Sequence, residues 1–85
     1  MQEPMFPREV TGRVPRITLT GRDEVHVEQH QGLMACQEDE VTLKTVCGRL
    51  VISGCGLMFS LYTPVEARVL GRIDSIRVLP EGSRP

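Results

Sequence analysis

No tryptophan occurs in this chain of 85 residues, and its aromatic side chains amount to two Phe and one Tyr. Binding single-stranded nucleic acid relies on exposed rings for stacking, so that role is not expected. Nor is there an excess of positive charge: ten basic residues face eleven acidic ones, for a formal net charge of -1. The basic residues, all Arg apart from Lys44, are scattered from Arg8 to Arg84. A DNA or RNA footprint would gather them on one surface. Long apolar runs are missing as well. The best candidate, Leu57–Leu61, is one strand long, well short of the roughly 18 residues that a membrane helix needs. Residues 1–15 carry Glu3, Pro4, Pro7, Arg8 and Glu9 where a secretory signal would have an apolar core. The three cysteines, Cys36, Cys47 and Cys55, are odd in number and form no Cys-x-x-Cys pair. No disulfide framework is expected, and in a reducing cytosol such residues read as small buried filler.

What is present is alternation. Ile17 and Leu19 alternate with Arg16, Thr18 and Thr20; Val25 and Val27 with His26 and Glu28; Val41 and Leu43 with Thr42 and Lys44; Leu50 and Ile52 with Val51 and Ser53. A period of two sends successive side chains to opposite faces of a pleated strand, which is the signature of a half-buried sheet. The expected strands run over 16–20, 24–29, 33–37, 41–46, 49–53 and 57–62, with a last strand or pair of strands over 68–70 and 73–78. Turn signals recur between them, and Gly21, Gly32, Gly48 and Gly54 are the expected structural turns. Thr63-Pro64-Val65-Glu66 fits either a single capped helical turn or a plain loop.

This spacing implies an all-β fold: a small antiparallel meander forming a rolled sheet, sandwich or partly open barrel. A β-solenoid ranks second, because the Gly-Arg pairs at Gly12, Gly48 and Gly71 are unequally spaced. The expected organisation is a flexible arm over 1–13, a single β domain over 14–79 and a flexible tail over 80–85. About 65 residues must then build the core, a size at which folding alone is marginal. Self-association or a protein partner is a natural supplement.

The polar positions hold no recognisable catalytic set, so no enzymatic activity is expected. A Cys–His nucleophile pair, Cys36 or Cys47 with His30, lacks the helix end that usually stabilises a reactive thiolate. Gly54-Cys55-Gly56 lacks the Lys-Ser or Lys-Thr of a phosphate loop, and Glu38-Asp39-Glu40 lacks the spacing of a calcium loop. His26, His30 and Cys36 are the candidate metal ligands, since imidazole and thiolate are the usual partners of zinc. The competing reading makes the histidines water-facing neighbours of Val25 and Val27, and no metal or cofactor is carried forward. The alternating segments Val14–Thr20 and Leu57–Tyr62 are candidates for a sheet edge offered to another chain.

Val-Pro-Arg-Ile-Thr-Leu-Thr-Gly at 14–21 and Val-His-Val-Glu-Gln-His-Gln-Gly-Leu at 25–33 closely resemble the YabP/YqfC family of sporulation proteins. Thr-Val-Cys-Gly-Arg-Leu-Val-Ile-Ser-Gly at 45–54 and Glu-Ala-Arg-Val-Leu-Gly-Arg-Ile at 66–73 resemble its later blocks. The likeness covers roughly residues 13–79 and is nearer to the YqfC branch than to YabP. The resemblance implies a non-enzymatic protein of the mother cell of an endospore-forming bacterium, cytoplasmic or peripheral at the forespore membrane. It would act as a structural or adaptor component of spore assembly, with a membrane-associated sporulation protein as partner. The alternative function is a small metal- or ligand-binding module built on His26, His30 and cysteine.

Overall fold

A computed structural model describes residues 14–80. The arm expected over 1–13 lies outside the described residues, as do residues 81–85 of the expected tail. The described chain is all-β, with strands β1 (Arg16–Thr20), β2 (Glu24–Glu28), β3 (Gly32–Gln37), β4 (Glu40–Thr45), β5 (Gly48–Tyr62) and β6 (Glu66–Leu79). They form a single antiparallel sheet in the lateral order β1-β2-β6-β5-β4-β3. Strands β3 to β6 make a meander, and the β1–β2 hairpin closes onto β6 rather than onto β3.

The central hairpin, β5 with β6, organises the rest. Each of its strands is long enough to serve two neighbourhoods. The first part of β5, Gly48–Ser53, pairs with β4, and the first part of β6, Glu66–Leu70, pairs with β2. The same arrangement therefore occurs twice, once at each end of the hairpin. The turn of the β1–β2 hairpin carries it further: the carbonyls of Asp23 and Arg22 accept from the backbone N–H groups of Gly71 and Ile73. The β3–β4 turn does the same at the other end, where Asp39 and Glu38 carbonyls accept from Gly54 and Leu57.

The sequence separates Arg49–Ser53 from Leu57–Tyr62 and leaves 68–78 as one strand or two. In the structure each of these stretches lies within one continuous strand, β5 and β6, with a corner inside it. Gly54 is consequently not a turn residue. It sits in β5 opposite Ile73, and a Cβ there would collide with the Arg72 carbonyl oxygen. Gly71, across the hairpin, has a φ of 139° and would meet the Gly56 carbonyl oxygen at 2.7 Å if it carried a Cβ. The backbones approach too closely at this corner for any side chain.

One core lies inside. Val25 and Val27 from β2, Val41 and Leu43 from β4, Leu50, Ile52 and Leu57 from β5, and Ala67, Val69 and Ile73 from β6 form a single buried cluster. Ile17, Phe59 and Ile76 pack at its margin. Among the described residues there is no helix and no second sheet to cover that face. Complete burial of residues as far apart in the sheet as Val25 and Leu43 therefore requires the sheet to roll over itself, the outcome the alternation implies. Val51 is also buried, directly between Thr42 and Arg77 on the outward face.

Leu57, Phe59 and Leu61 alternate in sequence, which implies one shared face. The register departs from that beyond Phe59. Phe59 lies opposite Val69, but Leu61 lies opposite Arg68 and Tyr62 opposite Ala67. The extra residue, Ser60, is a bulge, and a one-residue slip exchanges the faces of everything after it. Tyr62, not Leu61, thus shares the face of Phe59; it stays 44% exposed and sets its ring edge-on to Phe59, with centroids 5.3 Å apart. The segment Thr63–Glu66 is not helical; it closes the β5–β6 hairpin. Thr63 keeps its capping role there, its Oγ1 accepting from the N–H groups of Val65 at 3.2 Å and Glu66 at 2.8 Å.

Because backbone rather than a movable side chain opposes Gly54, replacing it by alanine is expected to cost about 3 kcal/mol or more, the upper end of overpacking penalties. Urea unfolding of Gly54→Ala beside the parent checks this, and a cost below about 1 kcal/mol would contradict the close approach.

Candidate functional site

The three candidate metal ligands, His26, His30 and Cys36, sit in three different environments. His26 lies on β2, where neighbours Val25 and Val27 turn inward and it turns outward. Its Nε2 is 3.3 Å from a Glu66 carboxylate oxygen and its Nδ1 is 3.9 Å from one of Glu28. Arg68, opposite His26 in the register, points its Nε at Glu24 from 3.2 Å. His26 Nε2 and Arg68 Nε make no aligned hydrogen bond, so their contacts with Glu66 and Glu24 are close approaches only. Together these side chains form a partly exposed polar ladder across β2 and β6. Such exposed pairs contribute little to stability individually but fix which strand residues face one another.

His30 is different. Gln29, at the end of β2, adopts a φ of 69°, a left-handed conformation uncommon outside glycine. The chain turns there and His30 enters the interior, only 2% exposed. Its Nδ1 accepts the Gly32 N–H at 2.9 Å, while its Nε2 faces the carbonyl oxygens of Thr63 at 2.8 Å and Glu66 at 3.3 Å. An acceptor role for Nδ1 and a donor role for Nε2 are met together by the neutral ring with its proton on Nε2. The ring also packs on Tyr62, centroid to centroid 5.1 Å. Around it, the N–H groups of Gln29 and His30 both reach the Val65 carbonyl, and Gln31 N–H reaches that of Lys44. His30 is thus a clasp joining the β2–β3 connection to the β5–β6 turn. Both its nitrogens are committed to backbone, leaving neither free to ligate a metal or take a proton from a nucleophile.

Cys36 lies on the outermost strand β3 and is exposed, as are Cys47 and Cys55, and all three thiols are free. This corrects the expectation that the cysteines fill the interior. The core space is taken by branched aliphatic residues, and the cysteines fall at an edge, at the β4–β5 turn and at the corner. Among the described residues, no three or more His, Cys, Asp or Glu side chains are gathered as a metal set. Of the expected structural glycines, Gly21, Gly32 and Gly48 do sit at turns or strand starts with positive φ. Gly56 and Gly71, also with positive φ, lie at the corner; the sequence marks both as glycine breaks between strand segments.

What the fold leaves unsatisfied is backbone at its margins. β1 and β3 end the sheet, and the later parts of β5 and β6 each have a ladder partner on one side only. Both segments singled out as edge candidates, Val14–Thr20 and Leu57–Tyr62, lie at such margins. Exposed apolar side chains gather along the same margins, among them Leu19, Leu33, Met34, Met58 and Val78. Such margins offer main-chain groups for strand pairing and apolar side chains beside them.

A single antiparallel sheet around one aliphatic core, with its histidines engaged and its strand margins open, is in class a small all-β domain. Comparison with known proteins narrows the class. The model of the YabP family matches residues 11–84. An uncharacterized protein, YqfC, of Bacillus subtilis (strain 168) is 37% identical over 72 residues, spanning 85% of this chain and 77% of that protein. The chain belongs to the YabP family, in the sporulation-associated YabP/YqfC group. No solved structure matches it.

Replacing His30 by alanine leaves the Gly32 N–H and the Thr63 carbonyl without their side-chain partner, at an expected cost of about 2–4 kcal/mol. His26→Ala, which removes only partly exposed polar contacts, is expected to stay within about 0.5 kcal/mol of the parent. Denaturant melts of both variants check the contrast. Thermal melts of the parent with zinc and with chelator are expected to coincide, since a structural metal would add its binding free energy to folding.

Proposed function

We propose that this protein is a non-enzymatic structural or adaptor component of spore assembly. It acts in the mother cell, in the cytoplasm and at the periphery of the forespore membrane, through protein contacts at a sheet edge or face. The observation that carries the reading is family membership across the whole of the described chain. The fold gives that membership a physical form. The internal polar groups with chemistry to offer, His30 above all, are spent on holding the structure, while unpaired strand margins and apolar side chains remain outward.

The partner we propose is a membrane-associated sporulation protein. No helix of the described chain is long and apolar enough to cross a membrane, so on this reading attachment to the forespore surface is indirect, through that partner. An edge strand supplies affinity from main-chain hydrogen bonds and specificity from alternate side chains, which needs no preformed pocket.

A fluorescent fusion followed through growth and starvation tests the proposal. Signal confined to the mother cell and gathered around the forespore, together with a loss of heat-resistant spores on deletion, is the expected result. Diffuse signal in growing cells, or a deletion strain with normal heat-resistant spores, would overturn it.

A further inference from the structure

The sheet's margins are not equivalent. β3 carries a bulge between Leu33 and Ala35, so Met34 interrupts its ladder with β4. The later part of β5 has register shifts at Cys55/Met58 and Phe59/Leu61. The later part of β6 has one where Asp74 is passed over between Ile73 and Ser75. Bulges of this kind twist an edge and discourage addition of a further strand. β1 has none. It pairs with β2 residue for residue, from Arg16 opposite Glu28 to Thr20 opposite Glu24. It holds no internal proline and no lysine, and its single charge is at one end. Among the described residues nothing pairs with its outer side.

That strand is also complementary to itself. In an antiparallel pair about a two-fold axis perpendicular to the sheet, residues that oppose one another must share a face. Centring the axis on Thr18 satisfies this for the whole of β1. Thr18 then meets Thr18, Ile17 meets Leu19, and Arg16 meets Thr20. No like charges are opposed, and the threonines and apolar residues fall against residues of the kind that pair favourably across strands. The inward-facing pair matters most. Ile17 and Leu19 lie opposite Val27 and Val25, yet Leu19 is 50% exposed because the core ends at this margin. A second Ile17 beside it would continue the core across the axis.

We propose that β1 is a homodimer interface, at which two copies pair antiparallel through Arg16–Thr20 with Thr18 on the two-fold axis. The inference takes from the proposed function only the use of a sheet edge, and it names a second copy of this chain as one occupant. The closed symmetry consumes β1 and leaves the bulged margins free for a different partner. Pairing five residues buries little area next to a stable obligate interface, so association is expected to be reversible and concentration-dependent.

Sedimentation of the purified full-length chain from micromolar to near-millimolar concentration tests this. The expected result is a monomer–dimer equilibrium that Thr18→Lys, which opposes two cations on the axis, weakens about tenfold or more. Thr18 is exposed, and circular dichroism verifies that the variant keeps its fold. With Cys36, Cys47 and Cys55 replaced by serine, Thr18→Cys is expected to cross-link two chains on mild oxidation, because directly opposed residues meet disulfide spacing. Thr20→Cys, opposed by Arg16, is not. A chain that stays monomeric throughout would overturn the proposal, as would a dimer indifferent to Thr18→Lys or one that Thr18→Cys fails to cross-link. Mass measured on the purified chain is independent of sporulation, so a monomer leaves the assembly role standing and a normal-sporing deletion strain leaves the dimer standing.

Discussion

The close approach of two backbones at one corner governs this molecule. Where Gly54 passes the Arg72 carbonyl and Gly71 passes that of Gly56, the β5–β6 hairpin leaves no room for side chains. The missing side chains let both long strands change direction together, and the ladder resumes beyond the register shifts at Ser53/Gly54 and Cys55/Met58. From that bend follow the docking of one small hairpin at each end, the capping of the corner by both hairpin turns, and the rolling of a single sheet around one aliphatic core. The described residues form one sheet and no second layer, so that sheet supplies both walls of its own interior.

The same economy explains where the polar residues went. The connection from β2 to β3 has to leave one half of the rolled sheet and enter the other, and its backbone groups need partners on the way. His30 provides them, accepting from Gly32 and donating toward the β5–β6 turn. A buried polar ring is tolerated only when its valence is met, and here it is met entirely by main chain. The neighbouring His26 faces outward into a polar ladder and does a different, weaker job. Two histidines four positions apart therefore have nothing in common but their spelling.

Much of the fold was legible in the sequence. Period-two alternation placed Val25, Val27, Val41, Leu43, Leu50 and Ile52 on the inward face, and all six are fully buried. β1 has the bounds its pattern implies. What escaped has a common physical cause, dependence on distant chain. Gly54-Cys55-Gly56 reads locally as a turn, and only the opposing strand makes it a corner within one. The bulge at Ser60 leaves no mark in an apolar pattern that stays regular through Leu61. The partners of His30 lie 33 and 36 residues away, so no spacing rule could separate a clasp from a ligand. Cysteine was taken for filler because its burial is common, whereas this core had enough branched aliphatics without it.

The central claim is that both ends of the hairpin share one core and unfold together. Native-state amide hydrogen exchange tests it most directly. The account requires Val27 and Val69 at one end, and Leu43 and Ile52 at the other, to exchange through openings of the same free energy, equal to that of global unfolding. It also requires slow exchange at Gly71 and Ile73, and at Gly54 and Leu57, whose N–H groups are bonded to the hairpin turns. Two distinct exchange classes divided at the corner would contradict it, showing two separately stable halves joined by a hinge.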